Sequence, residues 1–186
     1  MKVLGLSGSL RAESHNRRLL RVAAESLPPG WELEVWDRIA EVPAFNEDDE
    51  SSQRPEAVRD LDERLRDADA LLIATPEYNA SMPGALKNVL DWASRPFDAT
   101  PLLKKPAAVI GASTGLFGAI WAQAETRKVL RTIGAHVLED ELPVGTAHEA
   151  FDDDDRLRDP ELATRLSEVV GNLVRETGAP MESQAA

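Results

Sequence analysis

The stretch Met1 to Leu20, MKVLGLSGSLRAESHNRRLL, decides the fold, because an apolar run is followed directly by a polar turn and a helical pattern. Residues 3–6 form the apolar run, and Gly8 and Ser9 interrupt it. Residues 16–20 then begin an apolar spacing typical of a helix. The stretch therefore predicts a strand, a loop and a helix N-terminus, in this order.

The loop between this strand and helix is rich in side chains that bind phosphate. Hydroxyl groups, a guanidinium and a side-chain amide occur on Ser7, Ser9, Arg11, Ser14 and Asn16. The helix N-terminus adds unpaired N–H groups and the positive end of the helix dipole. We therefore predict binding of a phosphate monoester, although neither a Walker loop nor a G-x-G-x-x-G turn is present. The alternative is that Ser14 or Asn16 merely caps the helix.

Composition limits the class of protein. The 186 residues are 42% hydrophobic and 29% charged, which predicts a single globular domain over residues 1–177 with a flexible tail at 178–186. The chain has no cysteine, which excludes thiolate nucleophiles and cysteine-bound clusters, so that redox chemistry would need a bound cofactor. The net charge of −12 argues against a nucleic-acid partner.

Neither a membrane span nor a metal site is expected. No apolar run approaches the roughly 20 residues of a membrane helix, and Met1-Lys2 leads directly into a strand, so we expect a cytoplasmic protein. His15, His136 and His148 lack the spacing of metal ligands. Residues 152–155 are acidic but lack the calcium-loop pattern, which favours a solvated loop.

Strand and helix patterns alternate along the rest of the chain. Further strands are predicted at residues 31–35, 68–75, 106–112 and 135–138, with helices from about residues 55, 84, 119 and 160. Five strands and five helices predict an α/β, three-layer sandwich with a five-stranded parallel sheet. The tight turn after strand one and the lack of a dinucleotide turn favour the flavodoxin-like order 2-1-3-4-5. The loops after strands one, three and four then meet at one edge. The long polar connection of residues 37–55 is a candidate lid.

Those two further loops have unusual compositions. The loop after strand three, PEYNASMPG from Pro76 to Gly84, is restrained by proline at both ends. Its backbone is expected to present a fixed edge to a flat heterocycle, with Tyr78 or Met82 beside the ring, or else to form an ordinary turn. The loop after strand four, residues 113–118, is small enough for backbone amides to approach a ligand.

Together these motifs resemble the NADPH-dependent FMN reductase family, which includes quinone, chromate and azo-dye reductases. The resemblance covers most of residues 1–145, including residues 43–48. The motifs are Gly8-Ser9-Leu10-Arg11-x-x-Ser14-x-Asn16, Pro76-Glu77-Tyr78-Asn79, Pro83-Gly84-x-Leu86-Lys87-Asn88-x-x-Asp91-Trp92 and Ser113-Thr114-Gly115.

The resemblance implies bound FMN, with NADPH or NADH as the reductant. The phosphate is expected in the first loop, the isoalloxazine against the second, and its pyrimidine end towards the third. We include His15, which occupies a variable position of the family. No catalytic side chain is expected, because hydride transfer to N5 depends on alignment. The residues expected to bind the cofactor are Ser9, Arg11, Ser14, His15, Asn16, Pro76, Glu77, Tyr78, Asn79, Ser113, Thr114 and Gly115.

The resemblance further implies an oxidoreductase that passes hydride from NAD(P)H through FMN to a small-molecule acceptor such as a quinone, free flavin, chromate or azo compound. The alternative is a flavodoxin-like FMN electron carrier without NAD(P)H activity, which the acidic charge suits. Family members are often homodimers or homotetramers. Lys87 and Asp91 form either a surface pair or part of an interface, Arg95 binds the partner or a cofactor phosphate, and Arg127 and Arg131 lie on a solvated face or an assembly contact.

Overall fold

Strands and helices alternate as predicted in the computed structural model, which describes residues 1–50 and 54–178. Of the predicted tail at 178–186, all but Gly178 lies outside these residues. The elements are β1 Lys2–Ser7, α1 His15–Glu25, β2 Glu32–Trp36, α2 Glu56–Asp67, β3 Ala70–Thr75, α3 Gly84–Ala93, β4 Pro106–Ala112, α4 Ile120–Ile133, β5 His136–Val137, β6 Pro143–Val144 and α5 Pro160–Glu176.

The sheet is parallel and has the order β2-β1-β3-β4-β5, which confirms the predicted topology. Val3 of β1 lies opposite Leu33 of β2 on one side and Ala70 of β3 on the other. Because strand order reverses between β1 and β3, the chain leaves these neighbouring strands towards opposite faces of the sheet. A crevice therefore opens beyond their carboxyl ends.

Helices cover both faces of the sheet. Every residue of β3 is buried, and alternate residues face opposite layers, as the two-residue period of a strand requires. Leu71 and Ile73 pack with α2, α3 and α4, whereas Ala70 and Leu72 pack with α1 and α5. This central strand therefore fixes the position of the loop that follows it.

The last predicted strand is split into β5 and β6, and both pieces pair with β4. The Gln123 amide of α4 accepts from Leu142 N–H at 3.3 Å and donates to Leu142 C=O at 3.3 Å. Between the pieces, Glu139 pairs with Arg131, and Glu141 pairs with Arg127, which is 4% exposed. These arginines therefore fix the segment between β5 and β6 to α4. Of the two alternatives given for Arg127, a solvated face or an assembly contact, the solvated face is wrong.

The long connection after β2 is fastened to α3. Asn88 accepts from Phe45 N–H at 2.8 Å and donates to Pro43 C=O at 2.8 Å, while Trp92 Nε1 donates to the same carbonyl at 2.9 Å. Arg95 pairs with Glu47 and Glu50 of the connection. Arg95 is therefore engaged within the chain, and the described part of the predicted lid is anchored.

Membrane-spanning helices and metal-binding clusters are both absent from the described part of the chain. No helix within residues 1–50 and 54–178 is long and apolar enough to cross a membrane. The same residues contain no group of three or more His, Cys, Asp or Glu side chains placed to hold a metal ion.

Candidate functional site

A cavity of about 90 Å³ opens where the loops after β1, β3 and β4 meet. Every predicted site residue lines the cavity except Asn79 and Gly115, which lie in the same loops but not in its walls. The sequence analysis missed Ala112, because a methyl side chain does not indicate a binding role. Its position at the end of β4 is the one feature that points to the site. The lining residues are Ser9, Arg11, Ser14, His15, Asn16, Pro76, Glu77, Tyr78, Ala112, Ser113 and Thr114.

The β1 loop is shaped by its own serines. Ser7 Oγ accepts from Ser9 N–H at 3.4 Å, Ser9 Oγ accepts from Arg11 N–H at 3.4 Å, and the N-cap Ser14 accepts from Arg17 N–H at 3.3 Å. Each hydroxyl still has a proton to donate. Within residues 1–50 and 54–178, no hydrogen bond or ion pair engages the exposed Arg11 guanidinium. The loop is thus ordered while its charged group is available.

Asn16 has a structural role that the sequence did not indicate. Its Nδ2 donates to Ala112 C=O at 2.9 Å, and its Oδ1 accepts from Ala112 N–H at 2.9 Å. The side chain is 2% exposed. Asn16 therefore latches the start of α1 onto the end of β4, and its backbone N–H at the helix N-terminus is available to a ligand.

Gly8 brings the first two loops together. Its N–H donates to Ala74 C=O at 2.8 Å. A Cβ at this position would lie 3.1 Å from Leu86, 3.2 Å from Pro76 and 3.3 Å from Thr75, closer than side chains normally pack. Glycine therefore allows the β1 loop to approach Pro76 and Thr75 closely, and a larger residue would require these neighbours to shift by a few tenths of an ångström.

The β3 loop contains a tight turn. Tyr78 and Ser81 exchange backbone hydrogen bonds of 3.0 and 3.1 Å around Asn79 and Ala80, whose φ angles are 54° and 60°. Two successive positive φ angles define a type I′ turn. Tyr78 is 49% exposed at the cavity, but Met82 is only 7% exposed and packs in the core, so the predicted position of Met82 beside a ring is wrong.

Glu77 connects the β3 loop to α4. Its Oε2 accepts from the N–H groups of Trp121 and Ala122 at 3.0 and 3.1 Å, in the first turn of that helix. The preceding Ala119 has a φ of 61° and provides no capping side chain. Glu77 thus serves as a cap from a distant loop, which fixes two walls of the cavity to each other.

The β4 loop is held by the segment that follows β6. Ser113 N–H donates to Val144 C=O at 3.0 Å, and Ser113 C=O accepts from Ala147 N–H at 3.0 Å. Ser113 Oγ also accepts from Gly115 N–H at 3.1 Å. A Cβ on Gly145 would lie 2.3 Å from the Leu116 carbonyl oxygen, so glycine is required for this close approach.

The acidic segment near residue 152, predicted as a solvated loop, is partly exposed and also pairs with α1. Asp155 pairs with Arg18 and Arg21 of α1, and Asp152 C=O accepts from Arg18 Nη2 at 3.2 Å. Arg18 lies 4.7 Å above the Phe151 ring centroid, and His15 stacks on Phe151 with centroids 6.3 Å apart. The segment therefore supports α1 directly behind the cavity.

Burial and nearby cations lower the pKa of His15. Burial has the largest effect, followed by the positive charges of Arg11 and Arg18 and the proximity of His148. Its Nδ1 is buried and has no hydrogen-bond partner. The neutral form of the His15 imidazole is therefore favoured at neutral pH.

The groups that line the cavity are suited to a phosphate-bearing cofactor. Its β1 side offers a free guanidinium, two serine hydroxyls and the N-terminus of an eleven-residue helix, which are the donors that a phosphate monoester requires. Its other walls, Pro76 to Tyr78 and Ser113 to Thr114, are fixed to the scaffold by Glu77 and by the segment after β6. The donor set therefore fits the phosphate of FMN.

Comparison with known proteins agrees with this geometry. The family model for NADPH-dependent FMN reductase matches residues 1–149. The NAD(P)H-dependent FMN reductase of Pseudomonas aeruginosa is 48% identical over 160 residues, 86% of this chain and 85% of that relative. A quinone reductase of Pseudomonas putida is 38% identical over 153 residues, 82% of each chain.

Solved structures give the same result. The flavoenzyme FerB of Paracoccus denitrificans, an NAD(P)H:(acceptor) oxidoreductase, has a TM-score of 0.83 and 34% identity, covering 95% of this chain and 97% of that one. The family predicted from the three loop motifs is thereby confirmed. The chain belongs to the NADPH-dependent FMN reductase family.

Proposed function

We propose that this member of the family binds FMN in the cavity between the three loops and uses NAD(P)H to reduce quinones. The observation that carries the proposal is the free Arg11 guanidinium beside two serine hydroxyls and a helix N-terminus. In a chain with a net charge of −12, this corner provides a local positive field that favours a phosphate dianion. The quinone reductase of Pseudomonas putida, 38% identical, supports the choice of acceptor.

Each wall has a distinct role in the proposal. Arg11, Ser9 and Ser14, with His15 and the Asn16 N–H, bind the phosphate, since they surround the β1 end of the cavity. The backbone from Pro76 to Asn79 supports one side of the isoalloxazine. In the β4 loop, Ser113 N–H and Gly115 N–H are engaged within the chain, so Thr114 N–H is the donor that stabilises negative charge at the pyrimidine end.

Bound FMN would supply hydride acceptance and donation at its N5 atom. The chain supplies alignment, and the latch between Asn16 and Ala112 and the cap at Glu77 keep the walls rigid. Alignment of this kind reduces the entropic barrier to transfer between two flat rings. We therefore assign no acid or base to a side chain, and no observation favours the alternative electron carrier.

An anaerobic titration tests this function. The FMN-loaded protein should lose its visible flavin absorption with about one equivalent of NADPH or NADH, and added benzoquinone should restore it. Free FMN at the same concentration is the control for reduction without the protein. A bound flavin that neither nicotinamide reduces would contradict the proposed reductase, and failure to bind FMN would contradict the cavity assignment.

We also propose that the protein forms a homo-oligomer. Phe117 and Trp121, next to the β4 loop, are 61% and 50% exposed and meet edge to face with centroids 5.2 Å apart. Leu116 is 78% exposed beside them. Apolar side chains clustered on one surface favour association with a second copy. Lys87 and Asp91 of α3 form a surface ion pair of 2.6 Å, which is one of the two roles predicted for them.

A further inference from the structure

His15 has features that packing does not explain. Its ring stacks on Phe151, with an interplanar angle of 6°, and also lines the cavity beside Arg11, Ser9 and Ser14. Nδ1 is buried without a partner, although a buried ring nitrogen normally forms a hydrogen bond. The ring is thus held by an aromatic surface with Nδ1 buried and unsatisfied, and the same residue lines the cavity that holds the donors proposed for the phosphate.

The charged groups around the ring come from each element packed against it. The cations Arg11 and Arg18 repel an imidazolium, and His148 also opposes its charge. The neighbouring carboxylates are engaged elsewhere, since Asp155 pairs with Arg18 and Arg21, Glu149 lies 3.5 Å from His148, and Glu77 accepts from α4. The charged or titratable residues of the β1 loop, α1, the β3 loop and residues 148–155 include Arg11, Glu13, Arg17, Arg18, Arg21, Glu77, His148, Glu149, Asp152, Asp153, Asp154 and Asp155.

We propose that His15 takes up a proton from solvent when the FMN phosphate binds, so that a second cation joins Arg11 at the phosphate. This inference rests on the proposed function. A bound dianion offsets the positive charge of Arg11 and Arg18 that now disfavours the imidazolium. It also provides an acceptor for the N–H that protonation creates on the ring.

The sign of the effect follows from linkage. In the free protein, burial and the two arginines lower the pKa of His15. A nearby dianion favours the charged form and raises this pKa. Between the two values the complex holds more protons than the free protein, so FMN affinity falls as pH rises, by at most about tenfold per pH unit.

Calorimetry counts the protons directly. FMN binding is measured at about pH 7.5 in two buffers of different ionisation enthalpy, because the second pKa of a phosphate monoester is about 6 and the ligand is already a dianion. Any monoanionic FMN that remains would release a proton on binding as the dianion, and the dianion itself exchanges none. Net proton uptake must therefore come from the protein. We expect net uptake approaching about one proton per FMN if pH 7.5 lies between the two pKa values, and the measurement is repeated at about pH 6.5 and 7.0 to span the window.

The variants identify the group. His15→Phe keeps the stack on Phe151 and His15→Gln keeps polarity, and both should abolish the uptake and flatten the pH dependence of FMN affinity. His136→Gln, whose ring lies on β5 against Glu176, should retain both. Riboflavin, which lacks the phosphate, should bind to wild type without proton uptake.

Failure of the inference can be distinguished from failure of the function. FMN binding without proton uptake at any of the three pH values would overturn the role of His15 and leave the FMN site intact. Uptake that persists in both His15 variants and disappears in His148→Gln would also overturn it. Absence of FMN binding to wild type would instead overturn the proposed function.

Discussion

At the scale of single residues, Arg11 is the most direct test of the phosphate site. Its guanidinium is exposed and has no partner within the described residues, so Arg11→Ala removes a ligand contact without removing a structural one. Hydrogen bonds to a charged group contribute about 1.5–3 kcal/mol, so we expect FMN affinity to fall roughly 10- to 150-fold. Quenching of flavin fluorescence measures the affinity.

Two controls accompany this variant. Arg21→Ala removes an arginine that pairs with Asp155 on the exposed side of α1 and should change FMN affinity little. Riboflavin should bind Arg11→Ala and wild type with similar affinity, because it has no phosphate. An equal loss of affinity for riboflavin and FMN would show that Arg11 shapes the loop and does not hold the phosphate.

Asn16 shows where reasoning from residue type reaches its limit. Hydroxyl and amide side chains near a helix N-terminus indicate a phosphate site, and the cavity contains all of those predicted in the β1 loop except Ser7. The sequence does not show that the Asn16 amide instead binds Ala112, because the two residues are 96 positions apart and no local pattern connects them. The same holds for the stack of His15 on Phe151.

The Asn16 latch predicts a large effect on stability. Asn16→Ala leaves the buried N–H and C=O of Ala112 without partners, each at about 1–3 kcal/mol, so unfolding should become easier by about 2–5 kcal/mol. Urea unfolding measures the change. Thr132→Ala removes an exposed hydrogen bond to the Lys128 carbonyl and should cost no more than about 1 kcal/mol. Equal losses in the two variants would contradict the latch.

At the scale of elements, patterns within one element were predicted well and those that depend on distant partners were not. β4 was predicted at residues 106–112 and is found there, since a buried parallel strand has a continuous apolar run. Gly134 ends α4 with a φ of 104°, as glycine at that position predicts. The break between β5 and β6 depends on Gln123 of another element, and the period of the strand itself does not reveal it.

The cap of α4 is a further example of a distant partner, and it is testable. Glu77→Ala removes the acceptor for Trp121 and Ala122 N–H, which should destabilise the protein by about 1–2 kcal/mol. For a chain of this size, the melting temperature should fall by about 2–8 °C. Glu77→Gln, which keeps one acceptor oxygen, should lose less. Glu168→Ala on the exposed face of α5 is the matched control. If Glu168→Ala lowered the melting temperature as much as Glu77→Ala does, the cap would be contradicted.

At the scale of the whole molecule, the alternation of strands and helices predicted a parallel sheet, and the tight turn after β1 without a dinucleotide fingerprint predicted its order. The order then placed three separate loops at one edge, which explains why residues 9–16, 76–79 and 113–115 had to be interpreted together. The surface beyond that edge was not predictable, because exposure of Phe117 and Trp121 depends on how the β4 loop folds. The net charge of −12 also bears on the proposed oligomer, because two copies of the chain repel each other. They associate only where apolar contacts outweigh this repulsion.

The oligomer proposal therefore makes a prediction for this surface. Trp121→Asp replaces a half-exposed ring with a like charge at the proposed contact, so a wild-type oligomer should dissociate to a monomer of about half the mass or less. Size-exclusion chromatography with light scattering measures the mass, and circular dichroism checks that the fold is retained. Leu103→Asp, at a side chain that is 51% exposed outside the three loops, should leave the mass unchanged. A monomeric wild type, or dissociation in both variants alike, would refute this contact.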